Sequence, residues 1–213
     1  MDMYGFWRSQ ATFRLRVALN LKGLPYREIP VDIDRGEQDD PAFRKINAMG
    51  SVPALMVDGA PLTQSLAILE YLEETHPEPA LLPTDPKGRA RVRALAALAV
   101  SDTHPLIVPR VRRYLAEQAG FDAAHWKAWQ SHWFAAGLRG FEARLAGDPD
   151  TGTYCHGDMP SFADVCLVGL YAGATTFAIE VADVPTVDRI VARCKALKAF
   201  DDARADNQAD YPR

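Results

Sequence analysis

A chain of 213 residues with 48% apolar and 24% charged side chains has the make-up of a soluble globular protein, which excludes disordered, collagen-like and coiled-coil chains. No run reaches the ~18–20 apolar residues that a membrane-spanning helix needs, and the opening Met1-Asp2-Met3-Tyr4-Gly5-Phe6-Trp7-Arg8 is not a basic stretch leading into an apolar one. With a net charge of −4 the chain is expected to be cytoplasmic, with no membrane and no nucleic acid among its partners.

Cys155, Cys166 and Cys194 are widely spaced and form no Cys-x-x-Cys, so neither a disulfide framework nor a zinc knuckle is expected. Among the histidines, His125 and His132 can share a helix face, but two ligands without a third make no metal site. No metal is expected.

Met3 to Phe6 reads as a short buried strand. Leu15, Ala18, Leu19 and Leu21 are spaced for a helix over 11–22, with Gly23 where a C-terminal cap belongs. Tyr26 to Ile33 alternates as a second strand, and Pro41 to Asn47 is a short helix capped by Asp39 or Asp40. Pro53 to Val57 and Ala60 to Thr63 flank Asp58-Gly59, a pair suited to a type I′ hairpin turn. Ser65 opens a helix to about Thr75. The sum is a βαβαββα unit over residues 1–80.

The proline-rich stretch from His76 to Pro86 cannot continue a helix and predicts a domain boundary. Beyond it no strand pattern survives, so residues 86–213 are expected to form an all-helical domain. A long helix over 91–118 is predicted to kink at Pro105 and Pro109. Another runs over 123–146 with Trp126, Trp129, Trp133, Phe134 and Leu138 on its apolar side. Ser161-Phe162-Ala163-Asp164 has the form of a capping box. The helix it opens, to Phe177, is apolar almost all round and belongs in the core. A last amphipathic helix covers 186–197, and the polar tail from Asp201 is expected to fray.

Three junctions of the first unit carry groups suited to an anionic, peptide-like ligand. Arg8-Ser9 ends the first strand and begins the first helix, where free N–H groups and the helix dipole favour an anion and a hydroxyl adds a donor. Gln64-Ser65 repeats that arrangement at the last helix of the unit. Taken singly, each serine reads more readily as a plain helix cap than as a ligand contact. Val52-Pro53 opens a strand. A cis bond there would turn the Val52 backbone outward, although few X-Pro bonds are cis and the dipeptide alone favours trans.

Several segments stand out together: Phe6-Trp7-Arg8-Ser9 through Arg14-Leu15-Arg16-Val17-Ala18-Leu19; Leu21-Lys22-Gly23-Leu24-Pro25-Tyr26; Val52-Pro53-Ala54-Leu55; and Gln64-Ser65 through Glu70-Tyr71-Leu72-Glu73. Ala80-Leu81-Leu82-Pro83, Tyr154-Cys155-His156-Gly157-Asp158 and Ala163-Asp164-Val165-Cys166-Leu167-Val168 complete the set. In this order, over nearly the whole chain, they resemble the glutathione transferase superfamily, and within it the zeta class of maleylacetoacetate and maleylpyruvate isomerases. The resemblance implies the glutathione transferase fold, a thioredoxin-like α/β N-terminal domain with an all-α C-terminal domain, in a homodimer.

It also implies glutathione as cofactor. Cis-Pro53 would present the Val52 backbone to the cysteinyl unit, Gln64 and Ser65 would take the γ-glutamyl end, Gln38 and His104 would make further contacts, and Ser9 would face the thiol. A free thiol has a pKa of ~8.5, and a hydroxyl donor at a helix N-terminus lowers it. The implied reaction is cis–trans isomerisation of a maleyl diketo acid in aromatic catabolism: thiolate adds to the double bond, the resulting single bond rotates, and elimination yields the fumaryl form. A dianionic substrate and a developing enolate call for arginines, and Arg8 and Arg110 are the candidates.

The chain departs from that pattern in two places. Gln10-Ala11 follows Ser9 where small polar residues are usual, which leaves Thr12 as an alternative activator of the thiol. Thr176 stands before Phe177 where an arginine commonly grips a substrate carboxylate. The alternative function is therefore a glutathione S-transferase or dehalogenase acting on small electrophiles such as α-halo acids, which needs the same thiolate but only one carboxylate anchor.

Overall fold

The structure is a computed structural model that describes residues 1–212. Its Cα packing divides the chain into two compact units, Met1–Leu81 together with the chain from Lys195 onward, and Leu82–Cys194.

The first unit is built on strands β1 (Asp2–Gly5), β2 (Arg27–Pro30), β3 (Ala54–Val57) and β4 (Ala60–Thr63), in the order β2-β1-β3-β4. β1 is parallel to β2 and antiparallel to β3, and β3 pairs antiparallel with β4. The helices are α1 (Gln10–Leu21), α2 (Pro41–Ile46) and α3 (Ser65–Thr75), which completes the expected βαβαββα order. Alternation along β1 sets which helix covers which face. Tyr4 meets Phe43 of α2, with ring centres 5.9 Å apart, while Gly5, on the opposite face, lies under Thr12 of α1. A Cβ on Gly5 would come within 2.5 Å of the Thr12 methyl, so the close approach of α1 to the sheet requires glycine there. The Asp58-Gly59 turn has φ of 48° and 80°, the doubly left-handed form predicted for the hairpin.

β2 is shorter than the alternation over 26–33 suggested. Pro30 has no N–H to extend a ladder, and the Asp32 carboxylate accepts from the N–H groups of Asp34 and Arg35, turning the chain away. Asp40, rather than Asp39, caps α2 by accepting from Ala42 N at 2.8 Å. Two buried cations brace the unit. Arg16 forks onto Glu28 at 2.7 and 2.5 Å and reaches the Trp7 carbonyl. Lys22 fills its three donor positions with Glu73 and the carbonyls of His76 and Pro79.

The tail does not fray. Residues Lys198–Asp201 form a short helix, α9, that packs on α1. Phe200 is buried and its ring lies 6.5 Å from that of Phe13, while Asn20 donates to the Ala199 carbonyl at 3.0 Å. Further on, Asp210 accepts from Trp7 N at 2.9 Å and Tyr211 stands edge-on to the Trp7 ring. Phe200 and Tyr211 supply apolar surface that the charged residues around them obscure in the sequence.

The second unit comprises α4 (Pro86–Ala97), α5 (Pro109–Ala119), α6 (Ala123–Leu145), α7 (Phe162–Thr176) and α8 (Pro185–Lys195, its last residue beyond the unit's edge). The expected kinked helix begins earlier, at Pro86 with Asp85 as cap, and resolves into α4, a π-helical stretch over 98–103, a 3-10 turn at His104–Leu106, and α5. α7 is buried from Phe162 to Leu170 and packs against α4 and α6. Its capping box is formed: the Ser161 side chain takes the N–H of Asp164, while the fully buried Asp164 carboxylate accepts from Ser161 N and from Cys155 N, each at 2.8 Å.

Candidate active site

Sheet register brings the relevant strand ends together. Tyr4 of β1 stands opposite Ala54 of β3, Ala54 opposite Thr63 of β4, and Gly5 beside Pro30 of β2. The turn leaving β1, the residues entering β3, the junction leaving β4 and the loop leaving β2 therefore share one end of the sheet. They carry Arg8-Ser9, Val52-Pro53, Gln64-Ser65 and Gln38 respectively.

Ser9 is the N-cap of α1, half-buried, and its Oγ accepts from Thr12 N at 3.2 Å. A hydroxyl carries one proton and two lone pairs. Because the helix occupies the acceptor side of Ser9, its proton is directed away from the α1 backbone. Capping and donation to a ligand are thus compatible uses of one group.

Thr12 is placed differently. It is fully buried, with its hydroxyl turned toward Phe6 N at 3.4 Å and its methyl against Gly5. It faces the sheet rather than the half-buried turn that Ser9 occupies.

The Val52–Pro53 peptide is cis, with Pro53 buried and Val52 half-buried. Gln64 is exposed, holds a left-handed φ of 69°, and makes no side-chain cap for α3. By contrast, side chains cap α1, α2, α4 and α6. Ser65 follows, 5% exposed, its Oγ accepting from Arg14 Nη1 at 3.0 Å. Gln38, on the turn Glu37–Asp39, donates through Nε2 to Asp39 at 3.3 Å, while its buried Oε1 has no partner among the described residues. Arg8 is paired with Asp34, and its guanidinium lies 5.6 and 5.8 Å from the Phe6 and Trp7 ring centres.

The end of the sheet thus offers hydroxyl and backbone donors at two helix N-termini, but no thiol of the protein's own. All three cysteines are buried in the second unit and none forms a disulfide. Burial, reinforced by the Asp164 carboxylate, pushes the Cys155 and Cys194 thiols up, away from reactivity. Among the described residues no three His, Cys, Asp or Glu side chains are grouped to hold a metal, and no helix is long and apolar enough to cross a membrane.

The glutathione S-transferase N-terminal domain family matches residues 1–74. A maleylpyruvate isomerase from Ralstonia sp. is 43% identical over 99% of both chains. The holo structure of a maleylpyruvate isomerase, described as a bacterial zeta-class glutathione S-transferase, superposes with a TM-score of 0.97 at 43% identity, covering 100% of both chains. A maleylacetoacetate isomerase from Methylobacterium extorquens AM1, crystallised with malonate and glutathione, gives a TM-score of 0.97 at 48% identity with the same coverage. The chain is a zeta-class glutathione transferase.

Two of this zeta-class chain's expected site residues lie in the second unit. His104 begins the 3-10 turn after the π-helical stretch, and Arg110 is exposed in the first turn of α5. Thr176 ends α7 with its hydroxyl bonded to the Ala172 carbonyl at 2.9 Å, so it supplies no cation where an arginine is usual.

Arg14 beneath Ser65 is the feature that sequence reasoning passed over. The available signal was its place in α1, where residues 10–19 are buried without a break and an arginine has no solvent face to occupy.

Proposed function

We propose that this protein is a glutathione-dependent cis–trans isomerase of a maleyl diketo acid, maleylacetoacetate or maleylpyruvate, acting in aromatic catabolism. The observation that carries the proposal is the convergence of Ser9, Val52–cis-Pro53 and Gln64-Ser65 at one end of the sheet, in a chain matched end to end by isomerases. The donor set fits glutathione. The α3 N-terminus, free of a side-chain cap, with Ser65 and Gln64 beside it, suits an amino-acid carboxylate and its ammonium. The Val52 backbone suits a peptide unit, and the Ser9 hydroxyl suits a thiolate. Gln38 and His104 are proposed as further contacts.

When bound, glutathione supplies a thiolate that adds reversibly to an activated double bond. Ser9 donates to that sulfur and holds it deprotonated near neutral pH. Arg8, already oriented by Asp34 and two rings, attracts a substrate carboxylate, and Arg110 is proposed as the second cation. The M. extorquens enzyme, crystallised with both malonate and glutathione bound, is consistent with a dicarboxylate as substrate. The homodimer and the cytoplasmic location are proposed on family grounds, the latter agreeing with three buried cysteines that form no disulfide.

Incubation with maleylacetone and catalytic glutathione tests the reading: loss of the cis-enedione absorbance without consumption of glutathione is expected. Stoichiometric consumption would make the protein a transferase or dehalogenase, the function that Thr176 in place of an arginine favours. Two substitutions refine it. Ser65→Ala should raise the calorimetric Kd for glutathione ~10-fold or more, the loss of one charge-assisted bond; an unaltered Kd would reduce Ser65 to a helix start. Arg8→Ala should raise KM for the acidic substrate ~10-fold and KM for glutathione far less, and the reverse ranking refutes its role.

A further inference from the structure

Ser65 does not act alone. Arg14 is fully buried in α1, and its Nη1 donates to Ser65 Oγ at 3.0 Å across the α1–α3 packing. A guanidinium has donors only and keeps its charge at all accessible pH. It therefore fills a lone pair of Ser65 and repels the hydroxyl proton, which must point elsewhere. Ser65 is the first residue of α3, and the Gln64 side chain leaves that helix uncapped, so the direction left to the proton is the one in which the first-turn N–H groups also point. The buried charge adds a second effect. Its field at the start of α3 has the same sign as the N-terminal end of the helix dipole.

We propose that Arg14 is a positioning residue for the anion subsite at the start of α3: it orients the Ser65 hydroxyl as a donor and adds a buried positive charge behind it, selecting a ligand with a carboxylate at that end. The inference rests on the glutathione reading of the site and deepens it, because it assigns recognition of the γ-glutamyl α-carboxylate to a residue that ligand never touches.

The test compares two ligands by calorimetry, glutathione and γ-aminobutyryl-cysteinyl-glycine, which lacks only that carboxylate. In the unaltered protein glutathione should bind ~10-fold or more tightly than the analogue. Arg14→Met should erase most of that preference, leaving a ratio below ~3, while the analogue's own Kd shifts little. In a Ser65→Ala background the same change should add less than ~3-fold, since the two residues act through one hydroxyl. Where Arg14→Met does not fold, Arg14→Lys carries the decision: it retains a charge but not the planar fork, and the ratio should fall by at least ~3-fold. A parallel loss for both ligands, or an unchanged ratio in whichever variant folds, overturns the proposal and leaves the glutathione reading standing. An unaltered protein that binds neither ligand fails the glutathione reading, and the role of Arg14 falls with it.

Discussion

Alanine in place of Ser9 is expected to lower kcat at least ~10²-fold while the Kd for glutathione stays within about threefold. The asymmetry follows from geometry. In the proposed binding mode the rest of the tripeptide would be held by Val52 and by the start of α3, at strand junctions that the substitution leaves intact, whereas Ser9 would act on the sulfur and stabilise its ionised form. The same change removes the acceptor for Thr12 N and so costs about 1 kcal/mol of stability. Ser9→Asp separates the two roles. Aspartate caps a helix as well as serine does, so the melting temperature should return, but it has no proton to donate and its charge repels a thiolate. Turnover should remain as low as in the alanine variant. A pH–rate profile completes the test: with the hydroxyl gone, the rise in activity should move toward the free thiol pKa near ~8.5. Unchanged turnover in Ser9→Ala would transfer thiolate stabilisation to a backbone N–H, because the buried Thr12 hydroxyl faces Phe6.

The largest stability effect is expected at Asp164. Its carboxylate accepts from Cys155 N, Ser161 N and Ser161 Oγ at 2.7–2.8 Å, all buried. Asp164→Ala leaves these donors without a partner in the core, a cost of about 3 kcal/mol or more. For a chain of this size that lowers the melting temperature by roughly 6–12 °C in a calorimetric scan. Asp164→Asn keeps the shape and one acceptor oxygen but turns an NH₂ toward donors, so it should fall between the two. Burial is the dominant influence on this carboxyl and raises its pKa. The folded state therefore holds the proton more tightly than the unfolded chain. The Asp164 contribution is fully present below the ordinary carboxylate range and declines as pH rises through the folded pKa. The stability gap between the unaltered protein and Asp164→Asn should thus widen toward acid, and a pH-independent gap would show that hydrogen bonding alone governs the site.

Much of this was legible in local chemistry. Asp58-Gly59 specifies its turn because few other pairs tolerate two left-handed residues, and the capping box at Ser161 is a short-range signal that names both its partners. The junctions at Ser9 and Ser65 could be read because a serine before an apolar helical pattern marks a helix start whether or not a ligand sits there. Properties set by packing were not legible. The burial of Thr12 depends on how near α1 comes to Gly5, a distance that no spacing in the sequence encodes. The Arg14–Ser65 bond joins residues 51 apart and needs the packing of α1 on α3 before it exists. The end of β2 is decided by one aspartate turning the chain, against an alternation that continues to Ile33. The tail from Asp201 reads as polar because its one aromatic ring, Tyr211, meets Trp7 only once the chain has folded back.

The route of the chain through its two units has a consequence for biosynthesis. Residues 82–194 emerge from the ribosome before Phe200, Asp210 and Tyr211, which complete the packing around Phe13 and Trp7. The helical unit has all its residues available for folding first, while the earlier-made segment waits with part of its core surface open. A fragment ending near Leu81 would carry the serines and the cis-proline yet lack the segment that closes over α1, and it should behave as an unfinished domain.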